Sequence, residues 1–248
     1  MRIALISDIH GNNVAFEAVL QDISKQKVDS VICLGDVSSL GPQPNETLDK
    51  IRKRNWPCVL GNHESAMLNP ARALDYHIAA HLHSTLEWGI NKLSKDDLNY
   101  FRSLPKTLEV QLDSTHVLLC YHGSPQTNVD NLLPETPLDK LGKYLNGQSA
   151  QIMAGGHTHF QMLRQFEGRL VINPGSVGSA FLTPPLAPRP MLLPWAEYGL
   201  VDCEDSIIKV DLRRVAFDIQ KFLHLLEKSD LPLKDWWQEQ YLSPRAKW

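Results

Sequence analysis

Asp8 and His10 in "ISDIHGN", Asp36 in "CLGDV", Asn62 and His63 in "LGNHES", His122 in "CYHGSP", and His157 and His159 in "GGHTHF" share one circumstance: each follows a short apolar run. In an open α/β sheet the carboxyl ends of parallel strands converge on one crevice, so groups far apart in sequence can meet there. Asp8, Asp36 and Asn62 offer oxygen, and the histidines of these segments offer imidazole nitrogen. That set exceeds what one tetrahedral zinc requires and suits two first-row ions such as manganese, iron or zinc, provided one carboxylate bridges. Two ions about 3.5–4 Å apart can hold a hydroxide and clamp a phosphoryl oxygen, so the chemistry expected is hydrolysis of a phosphate ester by in-line attack. The spacing of His157 and His159 leaves two arrangements open. On a strand they share a face and could clip one ion, whereas in a helix they diverge by about 200° and could serve two.

The elements that must position these groups are legible in outline. Apolar runs at 2–6, 30–34 and 58–60 alternate with helical patterns at 13–26 and 46–54, which argues for βαβ units and a parallel sheet. A helical stretch covers 71–104, broken near Lys92, and Ser94 with Asp97 forms a capping box at its second part. Strands are expected at 108–112 and 117–121. Thr136-Pro137 opens a helix with Leu138, Leu141 and Leu145 on one stripe. Strands at 151–154, 161–166 and 170–172, the last two joined at Glu167-Gly168, then follow one another as in an antiparallel sheet. The proline-dense 183–194 is a loop, and strands at 199–202 and 207–212 precede a helix at 218–227 and a Trp-rich tail. No repeat or linker divides the chain, so 1–248 is read as a single domain.

Composition narrows the class. At 43% hydrophobic and 21% charged residues the sequence is that of an ordinary globular protein, and a formal charge of −3 offers no basic footprint for nucleic acid. "MRIALISD" is too short for a signal segment and no run approaches a membrane span, so a cytoplasmic protein without membrane partners is expected. Cys33, Cys58, Cys120 and Cys203 lack C-x-x-C spacing and read as buried reduced thiols.

In order and spacing, "DIHGN", "GD", "GNHE", "HGSP", "GHTH" and "INPGSVG" resemble the calcineurin-like metallophosphoesterases, specifically the small bacterial and archaeal phosphodiesterase branch. The resemblance runs from residue 1 to about residue 202. It implies a four-layer α/β/β/α sandwich of two mixed β-sheets flanked by helices, with 71–104 as a helical cap. It also implies two divalent ions, with manganese favoured over iron, zinc, nickel or magnesium. Asp8, His10, Asp36 and His159 would ligate the first and Asn62, His122 and His157 the second, with Asp36 bridging. His63 is then the motif histidine without an ion, fit to protonate a leaving alkoxide or hydrogen-bond a phosphoryl oxygen. Asn12, Gly175, Ser176 and Arg189 are candidate substrate contacts. The implied substrate is a small phosphodiester or nucleotide-type compound, with a phosphomonoester, or a silent metal-binding scaffold, as alternatives.

One departure from the family pattern is Leu40, where relatives commonly carry an aromatic residue; it puts carry-over of substrate preference in doubt. His77 and His81 fall on one helical face but lack a third ligand. His116 and His224 have no companion ligands and read as structural or solvated. Trp236, Trp237 and Trp248 read as packing of a terminal segment, with a homo-oligomer interface as the other reading.

Overall fold

Side chains along the central strands alternate between two apolar environments, and this period of two builds the layers. On β1 (Arg2–Ile6), Ile3 and Leu5 face one way and Ala4 and Ile6 the other. On β4 (Val117–Cys120), Leu118 and Cys120 join Ile3 and Leu5 in one cluster, whereas Leu119 turns away from it. The shared cluster is therefore the layer between two sheets, and burying each of its larger side chains contributes about 1.5–3 kcal/mol.

The computed structural model describes residues 1–182 and 191–242. One sheet pairs β2 (Ser30–Cys33) parallel to β1, β1 antiparallel to β8 (Trp195–Glu204), and β8 antiparallel to β9 (Ile207–Ala216). In the other, β3 (Leu108–Gln111) is antiparallel to β4. Next come β5 (Ile152–Ala154) parallel to β4, β7 (Arg169–Asn173) parallel to β5, and β6 (Met162–Phe166) antiparallel at the edge. Both sheets are mixed and helices cover their outer faces, the architecture expected.

On the first sheet, α1 (Asn13–Ile23), α2 (Pro44–Lys53), α3 (Asn62–Leu68), α4 (His83–Lys92) and α5 (Lys95–Ser103) bury Phe16, Val19, Leu48, Ile51, Ala66, Met67, Leu86 and Phe101 against Ala4 and Ile6. On the second, α6 (Leu138–Tyr144) packs Leu141 over Leu119, Tyr121 and Met153. Finally α7 (Ile219–Lys228) and α8 (Lys234–Leu242) close over Val14 and Leu40 with Phe222, Leu226 and Trp237. No helix among the described residues is long and apolar enough to cross a membrane.

Several boundaries differ from the sequence reading for local reasons. Residues 58–60 make only a bridge at Cys58 to Cys33: Cys33 N donates to Pro57 O, Val59 N donates to Cys33 O, and Leu60 N then leaves the sheet for Pro105 O. Strands β8 and β9 are ten residues each, because Gly199, which resembles a turn residue, lies inside β8 where Pro174 approaches closely. Leu138 is 63% exposed, off the buried stripe of Leu141 and Leu145. His77 and His81 do not share a helical face. Pro70–Tyr76 and Ala80–Leu82 are separate 3₁₀ turns, His77 ends the first in a left-handed conformation, and His81 rests against the Trp236 ring at 5.4 Å. The capping box at Ser94 and Asp97 is present.

Candidate metal centre

Asp8 lies just past β1, Asp36 past β2, Asn62 and His63 open α3, His122 follows β4, and His157 and His159 follow β5. With His10, which follows Asp8 past β1, these residues meet at one end of the sandwich. Asp8, His10, Asp36, His157 and His159 all have positive φ, between +47° and +69°. Such backbone costs non-glycine residues about 1–3 kcal/mol each and persists only where surroundings enforce it. Here the enforcement is visible: Asp8 N donates to Gly35 O, His10 N to Asp36 O, and Gly178 N to Asp8 O. The buried Glu64 carboxylate accepts the amides of Asp36, Val37 and Gly61, tying the loops after residues 33 and 58 together.

The glycines before the histidine pair act through space rather than through φ. Neither Gly155 nor Gly156 has positive φ; the histidines themselves make the bend. A Cβ on Gly156 would stand 1.9 Å from Ser7 Oγ and 2.6 Å from Asp8 Oδ2, so only glycine lets this loop lie against Asp8.

Imidazole nitrogens and carboxylate oxygens converge. His10 Nε2 and His159 Nε2 are 3.0 Å apart, and Asp8 Oδ1 lies 3.2 Å from His159 Nε2 and 3.8 Å from His10 Nε2. Asp36 Oδ2 is 3.3 Å from His122 Nε2 and 3.8 Å from His10 Nε2. Asn62 Oδ1 is 2.9 Å from His122 Nε2 and 3.0 Å from His157 Nδ1. The far nitrogens fix the tautomers. His159 Nδ1 faces Ser179 O at 2.7 Å and His122 Nδ1 faces Leu34 O at 2.6 Å, so each carries the proton there and leaves an Nε2 lone pair facing the centre. His10 Nδ1 meets Ser39 Oγ at 2.9 Å.

Two lone pairs facing each other across 3.0 Å need a proton or a cation between them. Asp8 Oδ1, fully buried, has no well-aligned hydrogen-bond donor among the described residues. The donor set thus fits a divalent ion. Burial alone would raise the Asp8 carboxyl, but the His159 and His122 charges prevail and hold it at about 2. Asp36 is held well below the usual range in the same way, burial being outweighed by His122 and His63. Burial opposes protonation of His122, but Asp36 and Asp8 lift it to about 10. His157, buried and beside charged His122, falls to about 3. Asp8 and Asp36 thus favour the protonated forms of His122 and His159, and a bound cation would compete with those protons.

His63 stands at the rim of this cluster. Its Nε2 is 4.0 Å from Asp36 Oδ2, its ring meets His10 edge-on at 4.8 Å, and its Nδ1 has no partner among the described residues. The candidate substrate contacts are placed differently. Asn12 caps α1 through Ala15 N and donates to Gly178 O. Gly175 N donates to Asn173 Oδ1, and Ser176 Oγ donates to Asp8 O while accepting from Ser179 N. All three are bonded within the fold. Arg189 and Trp248 lie outside the described residues, as does most of the proline-rich loop. Leu40 is buried beneath the C-terminal helices, so the departure it marks belongs to their packing. Ser39, Glu64 and Ser179 escape a ligand search by residue type, since they act through orienting hydrogen bonds; only the N3 position of Glu64 before "SAML" offers a local signal.

A family model described as the calcineurin-like phosphoesterase superfamily domain matches residues 1–188. An uncharacterised protein of Methanocaldococcus jannaschii is 29% identical over 245 residues, 93% of each chain. The serine/threonine-protein phosphatase 2 of Escherichia coli is 28% identical over 200 residues, 72% of this chain and 89% of that protein. The crystal structure of a metallophosphoesterase from Sphaerobacter thermophilus superposes with a TM-score of 0.72 at 25% identity, covering 97% of this chain and 100% of that one. With its strand-end ligand candidates in family order, the chain belongs to the calcineurin-like phosphoesterase superfamily.

Proposed function

We propose that the chain hydrolyses a small phosphodiester or nucleotide-type substrate with the aid of two divalent ions, manganese favoured. Asp8, His10, Asp36 and His159 would hold one, and Asp36, Asn62, His122 and His157 the other. The observation that carries this reading is Asp36 Oδ2, a single oxygen facing His10 Nε2 at 3.8 Å and His122 Nε2 at 3.3 Å. Bound ions would lower the pKa of water and neutralise charge on the phosphoryl group.

The protein's own groups supply the rest. Ser39 Oγ and the carbonyls of Leu34 and Ser179 keep imidazole lone pairs directed inward. Burial keeps His63 below its ordinary pKa, so it is neutral before substrate arrives. An anionic phosphate beside it would favour the charged form, and His63 could then pass a proton to the leaving oxygen. The ion pairs of Asp8 and Asp36 are with imidazoles, and a singly charged diester asks less positive charge of such a site than a doubly charged monoester. The phosphatase name of the Escherichia coli relative favours a second reading, a monoesterase on the same ions.

The test compares p-nitrophenol release from bis(p-nitrophenyl) phosphate and from p-nitrophenyl phosphate after chelation and manganese reconstitution. Faster diester cleavage, lost in Asp36→Asn, is the expected result. Preference for the monoester selects the second reading, and failure on both with metal bound rejects hydrolysis of simple esters in favour of a scaffold.

A further inference from the structure

A second set of metal-ligating groups lies at the opposite end of the sandwich. Asp113 and His116 bracket the turn between β3 and β4 in one sheet, and Cys203 sits near the end of β8 in the other. Cys203 N donates to Met1 O, next to the start of β1, whereas Asp8 follows that strand's far end; at about 3.3 Å per residue the two clusters are roughly 20 Å apart. The Cys203 Sγ–H donates to Asp113 Oδ2 at 3.1 Å, and His116 Nδ1 is 3.0 Å from each Asp113 oxygen. One donor atom from each residue falls within 4.8 Å of the others. This overturns the reading of His116 as a histidine without companions.

The arrangement is held before any ligand arrives. Asp113 Oδ1 accepts the amides of Thr115 and His116, and Leu112 N donates to His116 O, so the turn is fixed by its own backbone. Cys203 is 5% exposed and anchored in a strand paired on both sides. Hydrogen bonds from Thr115 N, Cys203 and His116 hold Asp113 well below the usual carboxylate range, so it is an anion. A nucleophilic cysteine does not fit: the thiol faces a carboxylate instead of an imidazole base, and burial and that contact push its pKa up.

We propose that Asp113, His116 and Cys203 form a second cation site, one for a borderline-soft dication such as zinc or cobalt, that ties the β3–β4 turn to β8 of the other sheet. Sulfur, nitrogen and oxygen donors together match such ions, while magnesium, calcium and manganese prefer oxygen. Bonds of about 2.0–2.3 Å to a common ion would spread the present contacts only slightly. Binding replaces the S–H bond with an S–metal bond and releases that proton to solvent, so affinity falls as pH falls. The remaining coordination position is left to water.

Cobalt absorption tests this on the full chain, because the proposed phosphoesterase ligands include no thiol. Chelated, reduced protein titrated with Co²⁺ should develop a thiolate-to-cobalt charge-transfer band that saturates at one absorbing ion per chain and is displaced by Zn²⁺. The band should survive Asp36→Asn, disappear in Cys203→Ser, and require at least tenfold more cobalt in His116→Ala, which keeps the thiol if the serine variant does not fold. No band in the wild type at saturating cobalt, a band that persists in Cys203→Ser, or unchanged affinity in His116→Ala would overturn the proposal.

Discussion

The two ends of the sandwich use positive φ in opposite ways. At one end the hairpin turns of both sheets place Glu167, Gly168, Asp205 and Ser206 in left-handed conformations, where exposed two-residue turns require them. At the other, the left-handed residues include Asp8, His10, Asp36, His157 and His159, buried or nearly so. In the turns the conformation answers to local chain geometry. Around the candidate centre it is imposed by hydrogen bonds from distant strands and aims side chains at one another. Function should therefore be sensitive to substitution at one end and indifferent at the other.

The largest contrast is expected from Asp36→Asn against Asp113→Ala. Removing the charge facing His10 and His122 should lower kcat/KM for the better nitrophenyl ester on the order of 10³-fold. Asp113→Ala, roughly 20 Å away, should leave it unchanged in manganese-loaded protein. Equal losses would erase the distinction between the ends.

Glu197 sharpens it through stability. This carboxyl is buried beneath the Gly175 loop, accepts from Trp195 Nε1, and is pushed up to about 7 from 4.5, chiefly by burial and despite Arg214. Because the folded pKa is the higher one, the fold favours the protonated form. That contribution is fully present below about pH 4.5 and is lost as pH rises through 7, a change of about 3 kcal/mol at most. Urea unfolding of Glu197→Gln, which keeps the acceptor, should lack that decline between pH 4.5 and 7; a slope equal to wild type would mean the carboxyl titrates normally.

The same contrast explains what was legible beforehand. The motif residues and their strand-end positions were readable because apolar runs and ligand types are local properties, as were the capping box at Ser94 and the layered alternation of β1 and β4. The left-handed ligands were not: nothing in "GGHTHF" says that His157 and His159, rather than the glycines, carry the bend. Asp113, His116 and Cys203 were equally hidden, since bringing a turn of one sheet to the end of an interior strand of the other depends on how the sheets stack.

Ser39→Ala probes the orienting bonds of the buried end. With Ser39 Oγ gone, His10 Nδ1 loses its partner at 2.9 Å and the imidazole is free to change tautomer or rotate. Metal affinity, measured by competition with a chelator, should weaken about 10–100-fold with little change in melting temperature. A change in melting temperature without a change in affinity would make Ser39 a packing residue.

The smallest effect is expected at Tyr121, between Cys120 of the inter-sheet core and the candidate ligand His122. Its side chain is fully buried, its hydroxyl has no hydrogen-bond partner among the described residues, and its ring fills the space that a Cβ on Gly155 would need. An unpaired buried hydroxyl opposes folding, so Tyr121→Phe, which keeps the ring, should stabilise the protein by about 1 kcal/mol in urea unfolding. If stability rises and esterase activity is untouched, the hydroxyl is a cost carried by the fold. If stability rises while activity falls, the hydroxyl belongs with the strained ligands as a group retained for the chemistry of this end.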